Sequence, residues 1–321
     1  MRSLATSRRD LLKACLAAPW QGAAATQPSR VVIAHEPMAR TAGAAPDSAR
    51  VLKALDRALQ ACFDADSPSD AWLQVVRPGE TVGLKVNCLA GRGASTRVKL
   101  VEAICERLQQ AGISQRNIII WDRLNADLES AGFRVQSHPD RIRCLGNDAL
   151  GYTNELAVYG SAGSLLSRAV TEICDVVVNL PVLKDHGIVG VTMALKNAFG
   201  AIHNPNKYHI NAGDPYVADV NMLEPIRRKV RLHVCDAIVA QYEGGPSYMP
   251  QWTWPENALL VSRDPVALDA IGWRMIERKR AEKGVPPLKD VHREPAYIRT
   301  AADASHRLGS NDPRQIQQVE V

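Results

Sequence analysis

The chain lacks any apolar run approaching the roughly 20 residues that a membrane-crossing helix needs, so no spanning segment is expected. Its cysteines include no CxxC pair and none of the iron–sulfur spacings, so there is no cluster ligand pattern. No GxGxxG or P-loop stretch is present, which removes the common glycine-rich phosphate cradles. No G-x-S-x-G elbow occurs either, and Gly160-Ser161-Ala162-Gly163 does not substitute for it. After the N-terminal stretch there is no Lys/Arg block, so binding to nucleic acid or to a membrane surface is unsupported. Internal repeats and low-complexity stretches are missing as well.

What is present begins with an address. Ser7-Arg8-Arg9-Asp10-Leu11-Leu12-Lys13, a short Ala-rich segment and the small-residue site Ala23-Ala24-Ala25 read as a twin-arginine export signal over residues 1–25. The expected location is therefore the periplasm or an equivalent exported compartment, with the twin-arginine machinery as a partner and no membrane anchor after cleavage. Lys13 spoils the lipoprotein reading of Cys15. Cleavage would remove Arg2, Arg8, Arg9, Lys13 and Asp10, so the net charge of +5 falls by three to +2. Six cysteines stay in the mature chain, scattered, with Cys62 and Cys105 on apolar helix faces where small buried hydrophobes belong.

With 321 residues and 46% hydrophobic content, the chain is long enough for a sizeable core. The periodicity predicts strands at Arg30–Ala34, Thr81–Leu89, Asn117–Asp122, Arg141–Leu145, Cys174–Leu180, Arg231–Ile238 and Ala258–Ser262. Helices are predicted over Asp47–Phe63, Val98–Ala111, Asp127–Phe133, Leu165–Ile173, Val217–Arg228, from Asp264 to about Lys279, and over Glu294–Leu308. Residues 146–163 are rich in turn formers, with an irregular hairpin as one reading, and the C-terminal tail is polar. This alternation argues for an α/β fold with a mostly parallel, doubly wound sheet flanked by helices. It forms one domain over 26–321, with lobes at about 26–160 and 161–321 as an open alternative.

The most informative stretch runs from Cys174 to Gly200. It reads as a buried strand stopped by Pro181, then a polar turn carrying Lys184, Asp185 and His186. One helix follows from Val191 to Phe199, closed by Gly200 as a left-handed terminator. In an open α/β sheet ligands bind beyond the carboxyl ends of the strands. Asn87, Asp122, Asn179 and Asp236 all stand at or near such ends, so they can converge with Lys184 and His186. His186, Lys184 and Lys196 are the catalytic candidates. Asn87, Asn179, Asn197, His203, His209 and Asp236 are the ligand-binding candidates, His203 and His209 lying in a polar loop over 201–216. A small anionic ligand suits these groups, with His186 as acid/base because its pKa can sit near working pH. A divalent metal on His186, His203 and His209 stays open, although the spacing matches no standard site. Asp264 reads as a helix N-cap.

The stretch Leu183-Lys184-Asp185-His186, Gly190-Val191-Thr192 and Ala194-Leu195-Lys196-Asn197-Ala198-Phe199-Gly200 resembles the signature of the domain of unknown function 362 family. Asp236-Ala237-Ile238, Gly244-Gly245-Pro246 and Ser262-Arg263-Asp264-Pro265-Val266-Ala267-Leu268-Asp269-Ala270 extend the likeness over most of the mature chain. Many members of that family carry ferredoxin-like modules; this chain does not, so an electron-transfer role is not implied. The stretch also distantly resembles the nickel-pincer lactate racemases, with His186, Gly190, Lys196 and Gly200 at that family's spacings. It departs in having Met193-Ala194 where a glycine pair is expected, and no His at the nickel-ligand spacing. The expectation is an exported enzyme acting on a small anion, as an isomerase or an oxidoreductase, with its cofactor unidentified. The alternative is a non-catalytic periplasmic ligand-binding or redox-accessory protein. A binder would keep its affinity on substitution of His186, whereas an acid/base enzyme would lose turnover by roughly 10²–10⁴-fold.

Overall fold

The computed structural model describes residues 28–321 apart from positions 40, 42 and 44, so the export-signal reading lies outside the described residues. In chain order the strands are β1 (Ser29–His35), β2 (Val82–Lys85), β3 (Ile118–Asp122), β4 (Arg143–Gly146), β5 (Ala157–Tyr159) and β6 (Ala162–Ser164). There follow β7 (Val176–Asn179), β8 (Val182–His186), β9 (Gly190–Thr192), β10 (Val230–Gln241), β11 (Thr253–Trp254), β12 (Ala258–Ser262) and β13 (Ile316–Glu320). All but the β5–β6 hairpin join one sheet with the order β13-β1-β12-β10-β7-β2-β3-β4.

The half from β10 to β4 is parallel, and β2, β3 and β7 are buried throughout, which explains their continuous apolar runs. The other half is antiparallel where β12 lies between β1 and β10. Helices cover both faces, as the β-α-β pattern implies. Ser48–Phe63 and Val98–Gln110 pack on one face, and the long helix Pro265–Glu282 lies over the other. Ser48–Phe63 starts at Asp47, whose side chain accepts the N–H groups of Ala49 and Arg50. Asp264 caps Pro265–Glu282 in the same way, through Val266 and Ala267.

Around the informative stretch the structure departs from the expectation in ways that matter. Pro181 does not end the ladder. Its carbonyl accepts the N–H of Asp236, and the chain resumes as β8 beside β10. β10 is long enough, at 12 residues, to serve β7 first and β8 after a break in register. Lys184, Asp185 and His186 therefore stand in a wholly buried strand instead of a solvated turn. The expected helix over Val191–Phe199 is split. Gly190–Thr192 pairs back on β8, Ala194–Asn197 forms a single helical turn, and Ala198–Ala201 continues as a 3-10 turn. Gly200 is no left-handed terminator: its φ is not positive, and it is small because a Cβ there would lie 2.6 Å from the Lys85 Nζ.

Elsewhere, helix Val217–Arg228 breaks at Leu223 ahead of Pro225 into Tyr216–Met222 and Glu224–Lys229. The expected helix Leu165–Ile173 shrinks to a π-type turn over Ala169–Ile173, and the last helix to Tyr297–Ala302. The polar C-terminal tail becomes β13, parallel to β1. No described helix is long and apolar enough to cross a membrane.

Candidate functional site

The site forms where β2, β3, β7 and β8 end. Lys85 closes β2, and its ammonium donates to Asp122 Oδ1 at 2.8 Å, to the Val86 carbonyl and to Asn197 Oδ1 at 3.3 Å. Asp122, at the end of β3, is completed by the N–H groups of Cys88 (2.7 Å) and Arg123 (2.8 Å). Asn197 is the hub: its Oδ1 also accepts from Asn87 Nδ2 at 3.0 Å, and its Nδ2 donates to Asn179 Oδ1 at 2.7 Å. Asn179 Nδ2 in turn donates to the Ala194 carbonyl and meets His233 Nδ1 at 3.0 Å. Asn87 Oδ1 is buried and has no hydrogen-bond partner among the described residues.

Asn197 and Lys196 sit on a one-turn helix, and a helix that short cannot hold itself. Asp269, from the long helix, accepts the N–H groups of Ala194 (2.7 Å) and Leu195 (3.0 Å) and so caps it from outside. Asn221 donates to the Leu195 carbonyl at 2.8 Å, which ties down the other end.

Two more lysines reach the same region. Lys184 is wholly buried and donates to the carbonyls of Ala94 (2.8 Å) and Pro246 (3.2 Å). Burial pulls its pKa down to about 8, although Cys88, Asp122 and Asp185 act in the other direction. Lys196 has no hydrogen-bond acceptor among the described residues; its Nζ lies over the face of Phe199, 4.0 Å from the ring centre. Burial, then the charges of Lys85 and Lys184, bring Lys196 down to about 7. His186 Nδ1 accepts the N–H groups of Ile188 (3.2 Å) and Val189 (3.4 Å), which places its proton on Nε2. Burial, followed by Lys196, His209 and Lys184, pushes the imidazole to about 2, so it is neutral across the working pH range. His209 stacks on it with ring centres 5.4 Å apart and meets Phe199 edge-on.

Asp185 points away from the lysines. Gly245 N–H and the Arg293 guanidinium hold its carboxylate, yet burial still raises its pKa to about 6.

Of the expected residues, Lys184, His186, Lys196, Asn87, Asn179, Asn197 and His209 come together. Two do not. His203 is exposed and packs edge-on against Tyr152, and Asp236 spends its oxygens on Arg97 and on the Ile238 N–H. Among the described residues no three His, Cys, Asp or Glu side chains are grouped as a metal site demands, and the trio His186, His203 and His209 is not assembled. Lys85 and Asp269 were missed. A lone lysine inside an otherwise apolar buried strand was a visible signal for Lys85; Asp269 stands in the stretch over 262–270 that carries the family likeness, which was its one signal.

A thylakoid-associated protein of Synechocystis is 27% identical over 248 residues, which cover 74% of this chain and 70% of that protein. A solved structure from Thermotoga maritima superposes with a TM-score of 0.45 at 9% identity over 75% of this chain, which spans only 60% of the length of that structure. The family described as Domain of unknown function (DUF362) matches residues 82–274, a span that carries the three lysines, the asparagine chain and Asp269, and the protein belongs to that family.

Proposed function

We propose that the protein is an exported enzyme that acts on a small anionic substrate held in this crevice. One observation carries the reading: three buried lysines, from β2, β8 and the turn after β9, crowd together with Asp122 as the only carboxylate among the described residues bonded to any of them. Burying cations without counter-charges costs free energy, and a ligand anion would recover it. Lys85 and Lys184 supply the positive charge beside Lys196, and the neutral His186 offers its Nε2–H as a hydrogen-bond donor. The free Asn87 Oδ1 would take a donor from the ligand, while Asn179 and Asn197 fix its orientation. The Synechocystis relative is named as thylakoid-associated, which is compatible with an exported chain.

A second reading is a non-catalytic binding or accessory protein. It is favoured by the pKa of about 2 at His186, which suits hydrogen bonding better than proton transfer.

The test is titration of the full folded protein with inorganic phosphate, oxalate and other short carboxylates, followed by calorimetry and by melting temperature. Saturable binding that raises the melting temperature, weakened about tenfold or more in Lys184→Met, is expected. No response of the wild type to any of these anions would sink the reading. NMR of each bound anion after incubation separates the alternatives, since a binding protein returns it unchanged.

A further inference from the structure

We propose that Lys196 is a nucleophilic amine that condenses with the carbonyl of a small oxo-acid, the acid's carboxylate being held by the neighbouring buried cations. This rests on the reading of the crevice as an anion site.

The three lysines are not equivalent. Lys85 is committed to Asp122, Val86 and Asn197, and Lys184 to two backbone carbonyls. Lys196 alone has a nitrogen without an acceptor among the described residues, set over an aromatic face in a nearly closed space. An ammonium in that position is poorly served, whereas a free amine is tolerated there. The face of Phe199 favours the cation, but burial beside two other lysines outweighs it, and the pKa of about 7 leaves the lone pair available at neutrality. Exposed lysines, with pKa values of about 10.4, are almost wholly protonated under the same conditions. The amine is also held in place, because Asp269 and Asn221 pin the turn that carries it. A ligand that satisfies both the cations and the amine must combine a carboxylate with an electrophilic carbon.

The step balances without a co-reactant. The Nζ lone pair forms a bond to the carbonyl carbon, and the C=O π pair moves to oxygen. Both N–H hydrogens end on that oxygen, which leaves as water as the C=N bond forms. Nothing is oxidised or reduced. The Nε2–H of His186 is the near donor for the oxygen as charge develops on it.

Glyoxylate with cyanoborohydride, applied to the full folded chain at pH 7, reduces any such imine to N-carboxymethyl-lysine. Peptide mass mapping then gives the site. Lys196 should be labelled at least about tenfold faster than any exposed lysine, from its excess of free amine. Oxalate, which has the charges but no comparable electrophile, should suppress the labelling, and Lys196→Arg should lack the fast site. Equal labelling of exposed lysines, or labelling first at Lys85 or Lys184, overturns the proposal. Oxalate binding without labelling of Lys196 overturns the imine but leaves the anion site standing. Uniform labelling with no oxalate binding removes both. Selective labelling that oxalate cannot suppress overturns the carboxylate anchorage on which the proposal depends.

Discussion

At the scale of single residues, the site is defined by what its charges lack. Lys196 carries a pKa of about 7 because the protein buries it near Lys85 and Lys184 and provides no acceptor. The unfolded chain would bind a proton there up to about pH 10. Between about pH 7 and pH 10 the unfolded state therefore holds more protons, so this group makes stability rise with pH across that window. Below pH 7 both states are protonated and the full cost of the buried charge is felt. Lys196→Met should thus stabilise the empty protein by about 2–4 kcal/mol at pH 7, and should flatten the rise in stability between pH 7 and 10. Urea unfolding at several pH values checks this; a variant less stable than the wild type with an unchanged slope would contradict it. A buried charge that costs stability is a usual mark of a working site.

At the scale of elements, the helix Ala194–Asn197 deserves its own prediction, because one turn of helix survives only by external support. Asp269→Ala removes the acceptor for two buried N–H groups and should cost about 2–4 kcal/mol in chemical denaturation. The crevice should lose its affinity for phosphate and oxalate along with it, and unaltered affinity would show that the cap does not position the site. The same turn explains where sequence reading stopped. The strands β2, β3, β7 and β12 were visible as apolar runs, and Asn87, Asp122 and Asn179 could be placed at strand ends along one edge from strand order alone. The segment after Pro181 was not, since Val182–His186 carries three ionisable residues and reads as solvent-facing. Its place in the sheet comes from β10, running on past the end of β7 in a long-range pairing, with β9 folded back on its other side. His203 and His209 looked alike in one polar loop, and a local pattern cannot tell which would turn toward His186. β13 was hidden for a related reason, because Ile316–Glu320 is mostly polar and partly exposed on its edge of the sheet.

At the scale of the whole molecule, the six cysteines among the described residues are all free thiols, and five of them are buried. No disulfide joins any two of the described residues. Replacing Arg8 and Arg9 with lysine should leave the protein folded and in the cytoplasm, as read by fractionation and protease resistance. Unimpaired export of that variant would remove the twin-arginine reading. The sheet order adds a constraint on timing. β1 opens the described chain, yet its only partners are β12 and β13, which lie more than two hundred residues later. During synthesis the first strand must wait unpaired until more than two hundred further residues have been made. Its apolar edge is then open to mispairing with other chains. Exposure of β1 therefore lasts through most of synthesis, so chaperones that shield it would govern the yield of folded material.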